Sequence, residues 1–166
     1  MSTASKQPMT PKSIAASLVG GVFGVYSGMN VLIPAIGGGF VWYVGTKVLR
    51  PTNPAYLGAI STLVGHALWL LFGMVLLGQW GLNVIDLVAF GLGALWLWSR
   101  PGLAPVVVLS IFEVLALLSN VSTIWPEQFG SATHKALAVH IGLRVAVLYL
   151  MWAAFLRSRS AAPSDA

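Results

Sequence analysis

The chain has 166 residues, of which 57% are hydrophobic and only 8% are charged. A soluble globular domain carries roughly a quarter charged residues, and a disordered chain combines low hydrophobicity with high charge. Both classes are therefore excluded, and the composition predicts an integral protein of the lipid bilayer. Because a helix needs ~20 apolar residues to cross a bilayer, a chain of this length has room for at most about six spans.

The charge balance is basic, with nine Lys and Arg residues against four Asp and Glu residues. In a soluble domain this excess would point to nucleic acid, but here the basic residues are scattered singly among apolar stretches. We therefore expect the lipid bilayer, and no nucleic acid, as the partner of this chain. Cysteine is absent, which excludes disulfides, thiol catalysis and cysteine-ligated metals.

Six apolar segments follow one another along the chain, and each ends at glycine, proline or polar residues that stop a helix. The first follows two lysines as in a signal peptide, but no convincing cleavage site comes after it, so we interpret it as a retained span. The segments cover residues 14–26, 31–49, 55–77, 82–98, 103–119 and 135–156. The predicted fold is an all-α bundle, with an N-terminal tail (1–12), a six-helix transmembrane domain (13–157) and a disordered C-terminal tail (158–166).

The positions of the basic residues predict the orientation of this bundle. With six spans, only Lys135 falls on the side opposite the two termini. By the positive-inside rule the basic side is cytoplasmic, so we expect both termini inside, most simply in a bacterial inner membrane. Tryptophans and tyrosines at the segment ends, Tyr56 among them, are typical of an interfacial belt. The basic residues on the side of the termini are Lys6, Lys12, Lys47, Arg50, Arg100, Arg157 and Arg159.

Small residues recur at every fourth position of the first segment. Such spacing forms a shallow groove into which another helix packs closely within lipid. It predicts a contact within the chain, in a homo-oligomer or with another membrane protein. The residues are Ala16, Gly20, Gly24 and Gly28.

The second segment contains Pro34 and the triplet Gly37, Gly38 and Gly39. Proline removes a backbone hydrogen bond and glycine weakens a helix, so these residues predict an interruption or hinge. Interrupted helices flank the substrate site in many transporters. The alternative is a kink that lets two helices pack tightly.

Ionisable side chains inside the later segments are the candidates for function. A charge at the bilayer centre costs ~2.5–3.5 kcal/mol on insertion scales, so such groups normally face protein, water or a partner. Counting ~1.5 Å of rise per residue places Glu113, Arg144 and His66 near mid-membrane. Asp86 and His140 fall nearer the outer surface by the same count.

Two asparagines extend this polar set. Asn83 shares a helix face with Asp86, and Asn120 shares one with Glu113. Glu127 and His134 lie in or beside the outer loop. The sequence therefore predicts a polar path from the outer loop to the middle of the membrane.

Several functions are compatible with this path. Glu113 and Arg144 are either a structural ion pair that locks two helices or the site of a small transporter or channel. In a proton-coupled carrier, Glu113 would bind the proton, Arg144 would be its counter-ion or an anion site, and the two histidines would relay protons near neutral pH. Mid-membrane ionisable groups favour a functional role.

Three alternatives stay open. In a membrane-embedded enzyme, Asp86 or Glu113 would act as general acid or base on a lipophilic substrate, with Arg144 stabilising an oxyanion. An accessory subunit of a membrane complex is the second alternative. Haem ligation by His66 or His140 is the third, although their different depths count against one shared haem. No local spacing of ligands predicts a metal site.

Overall fold

The computed structural model describes residues 29–78 and 80–160, and within these ranges it is all-helical. A short 3-10 turn at Pro54–Tyr56 precedes the second helix. The predicted first segment, with Ala16, Gly20, Gly24 and Gly28, lies outside the described residues. The helices, which correspond to the second to sixth predicted segments, are α1 (Met29–Lys47), α2 (Leu57–Leu77), α3 (Leu82–Ser99), α4 (Leu103–Ile124) and α5 (Ala132–Ser160). The all-α prediction is confirmed for this part of the chain.

Among the described residues, three stretches are long and apolar enough to cross a membrane, namely Pro54–Val75, Leu103–Ile124 and Ala132–Ser160. The apolar part of α3, Asn83–Ser99, is shorter. These helices indicate a membrane protein. The count of six spans and the orientation of the termini stay predictions.

The distribution of side chains agrees with apolar surroundings. Large apolar residues are exposed on the outside of the helices, for example Ile36 at 71% and Leu115 at 63%. By contrast, Arg144 is only 1% exposed and Glu113 is fully buried. In a soluble protein the opposite arrangement is the rule, so the exposed apolar surface fits contact with lipid.

Consecutive helices run antiparallel, and α2 lies at the centre, against α1, α3 and α5. At one end of the bundle the loop before α2 meets the end of α3, where the Thr52 N–H donates to the Trp98 carbonyl at 3.0 Å. The 3-10 turn packs against α5 at the same end. This end therefore collects the basic residues Lys47, Arg50, Arg100, Arg157 and Arg159.

Helix α1 is continuous through Pro34 and the glycine triplet, so the predicted interruption is absent. The glycines instead allow α1 and α2 to cross closely. A Cβ added at Gly38 would lie 2.9 Å from the Ser61 carbonyl oxygen, and one added at Gly65 would collide with the carbonyl oxygen of Pro34. A hinge role stays a prediction for Pro34, Gly37, Gly38 and Gly39. The helix interruption that suggested this role is not seen in α1.

Two further details differ from the sequence prediction. Helix α5 continues to Ser160, past the predicted end of the helical domain at residue 157. Tyr56 is 1% exposed and belongs to the core, whereas Trp80 and Trp125 are exposed near helix ends, as expected for interfacial aromatic residues. Tyr56 is buried because the 3-10 turn that carries it packs against α5.

The crossing of α1 and α2 can be tested with Gly65→Ala. The added methyl meets the backbone of Pro34, and such overpacking typically costs ~1–3 kcal/mol. We expect a lower midpoint of thermal unfolding for the purified protein in detergent. The matched control is Gly91→Ala in α3, where an added Cβ meets nothing within 4 Å and helix propensity favours alanine. Equal midpoints for the two variants would contradict this packing.

Candidate functional site

Four of the five described helices contribute ionisable side chains to the interior. These side chains form two neighbouring groups. The first, called here the ion cluster, consists of Asp86 on α3, Glu113 on α4 and Arg144 on α5. The second, the histidine pair, consists of His66 on α2 and His140 on α5.

Arg144 holds the ion cluster together. Its Nη1 donates to Glu113 Oε2 at 3.0 Å, and its Nη2 donates to Asp86 Oδ2. The side chains of Arg144 and Glu113 are 1% and 0% exposed, and that of Asp86 is 20% exposed. One guanidinium thus joins α3, α4 and α5 inside the bundle.

The ion cluster is not balanced in charge when all its groups are ionised. Two carboxylates face one guanidinium, which leaves one excess negative charge. An uncompensated charge in an apolar interior costs several kcal/mol. Glu113 Oε1 and Arg144 Nε are buried and have no hydrogen-bond partner in the described part of the chain. The arrangement therefore favours uptake of one proton or one further positive charge.

The histidine pair is joined directly, with His66 Nε2 and His140 Nδ1 2.8 Å apart. A neutral imidazole has one N–H donor and one acceptor nitrogen, so one of the two nitrogens carries the proton and the other accepts it. His66 is fully buried, and the His140 ring packs against Trp69 with centroids 4.4 Å apart. Because two protonated rings would bring two N–H groups face to face, the bonded pair holds at most one positive charge.

Phe90 contacts both groups. The centroid of its ring is 4.5 Å from the centroid of the His66 ring. The same Phe90 centroid is 5.1 Å from Arg144 Cζ. Phe112 meets Phe90 edge-on at 6.1 Å and lies 6.0 Å from Arg144 Cζ. The guanidinium is thus surrounded by aromatic rings, which attract a cation through their π-systems.

The predicted meeting of Glu113 and Arg144 is present. The sequence placed Asp86 in a shallower layer than Arg144, and the two side chains are nevertheless bonded. Helical side chains point back toward the N-terminus of their helix. Since α3 and α5 begin at the same end of the bundle, the long Arg144 side chain extends toward the layer of Asp86.

His66 and His140, for which the sequence predicted different depths, are also in direct contact. Helix α5 begins at Ala132, before the predicted start at Lys135. His140 therefore lies about two turns inside α5, and His66 lies about three turns before the end of α2. The two residues therefore still differ by about one helical turn in their distance from this end of the bundle. The two imidazole rings bridge this difference.

This contact also changes the argument about haem. Axial ligands on opposite faces of one iron stand about 4 Å apart, given metal–nitrogen bonds of ~2 Å. The bonded nitrogens of His66 and His140 are 2.8 Å apart, so this arrangement does not fit a haem shared between them. Within residues 29–78 and 80–160, no group of three or more histidine or carboxylate side chains has the geometry to hold a metal ion.

The other predicted path residues lie around this centre. Asn120 is on α4, about two turns from Glu113, and its Nδ2 is buried without a hydrogen-bond partner. Asn83 is half-buried in the first turn of α3. His134 belongs to the start of α5, where its N–H donates to Ser131 Oγ at 3.0 Å. Glu127 lies in the loop before α5.

Sequence reasoning missed the aromatic residues of the site. Phe90 follows Asp86 by one helical turn and so lies on the same face of α3. That spacing was the available signal. Trp69 follows His66 by three residues on α2 and gave the same kind of signal. Aromatic residues are so common in apolar helices that the spacing alone does not distinguish them from ordinary core.

Two apolar grooves open on the surface of the bundle. One, of about 400 Å³, lies among α1, α2 and α5 and is lined by Pro34, Gly38, Ser61 and Leu143, among others. The other, of about 300 Å³, lies among α1, α2 and α3. Neither groove is lined by a residue of the ion cluster or the histidine pair.

Removal of the guanidinium tests the energetic role of the ion cluster. In Arg144→Met two buried carboxylates lose their partner, and breaking a buried ion pair from one side costs ~3–5 kcal/mol. We expect a large drop in the unfolding free energy or in the yield of folded protein. The matched control is Arg157→Met at the exposed end of α5, which should change stability by no more than ~0.5 kcal/mol. Similar losses in both variants would contradict the role given to Arg144.

The histidine pair can be tested by NMR of protein labelled with ¹⁵N-histidine. A direct N–H···N bond transmits a scalar coupling between the two ring nitrogens, so we expect the His66 and His140 signals to be coupled. The coupling should vanish in His140→Phe, which retains a ring but has no nitrogen. Uncoupled His66 and His140 signals in the folded wild-type protein would contradict the bond.

Comparison with known proteins adds no assignment to this geometry. No protein-family model matches the chain, and neither a curated protein nor a solved structure is significantly similar to it. The functional interpretation therefore rests on the ion cluster, the histidine pair and their surroundings.

Proposed function

We propose that this protein is a small integral membrane transporter or channel that conducts protons through the ion cluster. The observation that carries the proposal is the sharing of one buried guanidinium by two carboxylates. Because the fully ionised cluster has one negative charge too many, uptake of a proton by a carboxylate balances it. Ionisable groups at this depth are rare in membrane proteins and mark ion pathways or proton relays.

Each residue has a role in this proposal. Glu113 binds and releases the proton, since its second carboxylate oxygen is unpartnered. Arg144 is the fixed counter-ion, and Asp86, with a side chain 20% exposed, connects the cluster to one end of the bundle. His66 and His140 pass protons on the other side of Phe90. Asn83 and Asn120 extend the polar path.

The wider arrangement is part of the same proposal. The chain spans a bacterial inner membrane six times, with both termini in the cytoplasm. The stripe of Ala16, Gly20, Gly24 and Gly28 packs against another helix, in this chain or in a second copy. The collection of basic residues at one end of the bundle supports the orientation, by the positive-inside rule.

We infer transport rather than catalysis. The two apolar grooves described above, where a lipophilic substrate could lie beside an acid or base, are not lined by Asp86, Glu113 or Arg144. A transporter with alternating access exposes a mid-membrane site to each side in turn. A site closed off by packed side chains is compatible with one state of that cycle.

Proton flux into liposomes tests the proposal. Purified protein is reconstituted with an internal pH-sensitive dye, and a potassium diffusion potential drives protons inward. We expect faster acidification than in empty liposomes, and we expect Glu113→Gln to return the rate to that background because the amide cannot carry the proton. The matched control is Asp165→Asn near the end of the sequence, the same carboxylate-to-amide change at a residue outside the predicted polar path, which should retain the wild-type rate.

Two results would overturn the proposed function. One is wild-type acidification no faster than that of empty liposomes. The other is equal flux in wild type and in folded Glu113→Gln.

A further inference from the structure

We propose that Phe90 is a gate, the side chain that separates the histidine pair from the ion cluster and must move for a proton to pass. This inference rests on the proposed function and deepens it. It assigns control of conduction to an apolar residue on α3 rather than to one of the ionisable groups.

The position of Phe90 carries the proposal. Its ring is fully buried and contacts both groups, with centroids 4.5 Å apart to His66 and with Arg144 Cζ at 5.1 Å. His140 and Arg144 belong to the same helix, one turn apart, so the backbone fixes the distance between the two groups on that side. Phe90 is therefore in contact with both ends of any connection between His66 and Arg144.

The hydrogen bonds of the site stop on either side of this ring. His66 bonds to His140, and Arg144 bonds to Asp86 and Glu113. Across the described residues no hydrogen bond joins the histidine pair to the ion cluster. Proton transfer needs donor and acceptor within about 2.6–3.2 Å, directly or through one water, and a phenyl ring offers neither an N–H nor an O–H group. The path is therefore interrupted at Phe90.

The surroundings of the ring make a movement of Phe90 consequential. It meets Phe112 edge-on and packs beside the guanidinium. A rotation away from His66 would open a space bordered by the imidazole pair and by Arg144. Water entering that space would bridge the two polar groups if it bonded to nitrogen atoms that are now unpartnered. His66 Nδ1 and Arg144 Nε are buried nitrogens that lack a hydrogen-bond partner with the ring in place.

The gate is tested in the liposome assay with variants of ring size. Phe90→Ala removes the ring, and we expect proton flux to rise about tenfold or more, as expected when a barrier of moderate height is removed. Phe90→Leu retains apolar bulk and should stay within about twofold of wild type. The matched control is Phe155→Ala on α5, a partly buried phenylalanine that contacts Arg159 and Trp152 at 5.8 Å instead of the site; its flux should be unchanged.

A double variant separates the gate from a general leak. If the extra flux of Phe90→Ala passes through the ion cluster, Phe90→Ala with Glu113→Gln returns to background. Extra flux that survives in the double variant would overturn the gate. So would wild-type flux in Phe90→Ala, provided that gel filtration shows a folded, monodisperse protein. Neither result touches the proposed function, which fails only if wild-type flux is absent or does not depend on Glu113.

Discussion

The arrangement of the described helices depends on the bonds that Arg144 makes to Glu113 and Asp86. Within lipid there is little hydrophobic force between helices, so helix contacts rely on close packing and on hydrogen bonds. One guanidinium bound by carboxylates on two other helices fixes α3, α4 and α5 in rotation and depth. Desolvation offsets much of the Coulomb attraction in such a pair. The ion cluster therefore determines mainly which arrangement of the helices forms. It contributes less to the stability of that arrangement.

A cluster that is neutral when fully ionised would have one carboxylate for one guanidinium. The second carboxylate makes the balance of the cluster depend on a proton, because the ionised and protonated forms differ by one charge in an apolar environment. Binding that distinguishes two states shifts the population between them. The same side chains that join α3, α4 and α5 thus couple proton binding to the contacts among those helices. Structural and functional interpretations of the ion pair are not exclusive.

The sequence was sufficient for the helices and for the meeting of Glu113 and Arg144, because helical rise converts position in a segment directly into depth. It was insufficient where side-chain direction decides the contact. Arg144 reaches Asp86 because both helices begin at the same end, and His66 meets His140 because α5 starts earlier than the hydropathy indicated. The glycines of α1 were compatible with a hinge or with tight packing of two helices, and the sequence alone did not decide between them. Glycine weakens an isolated helix, but here Gly38 and Gly65 lie where two backbones cross, and packing keeps the helix intact.

Helix α1 differs from the others in the kind of contact it makes. Helices α2 to α5 each contribute a charged or imidazole side chain to the interior, whereas the described part of α1 has its only ionisable groups, Tyr43 and Lys47, near its end. Its glycines face backbone atoms and leucine side chains of α2. Displacing α1 would therefore leave no buried charge without a partner, while displacing α3, α4 or α5 would break a bond to Arg144. Since an unpartnered buried charge is far more costly than a lost van der Waals contact, the packing permits motion at α1 before it permits motion within the ion cluster.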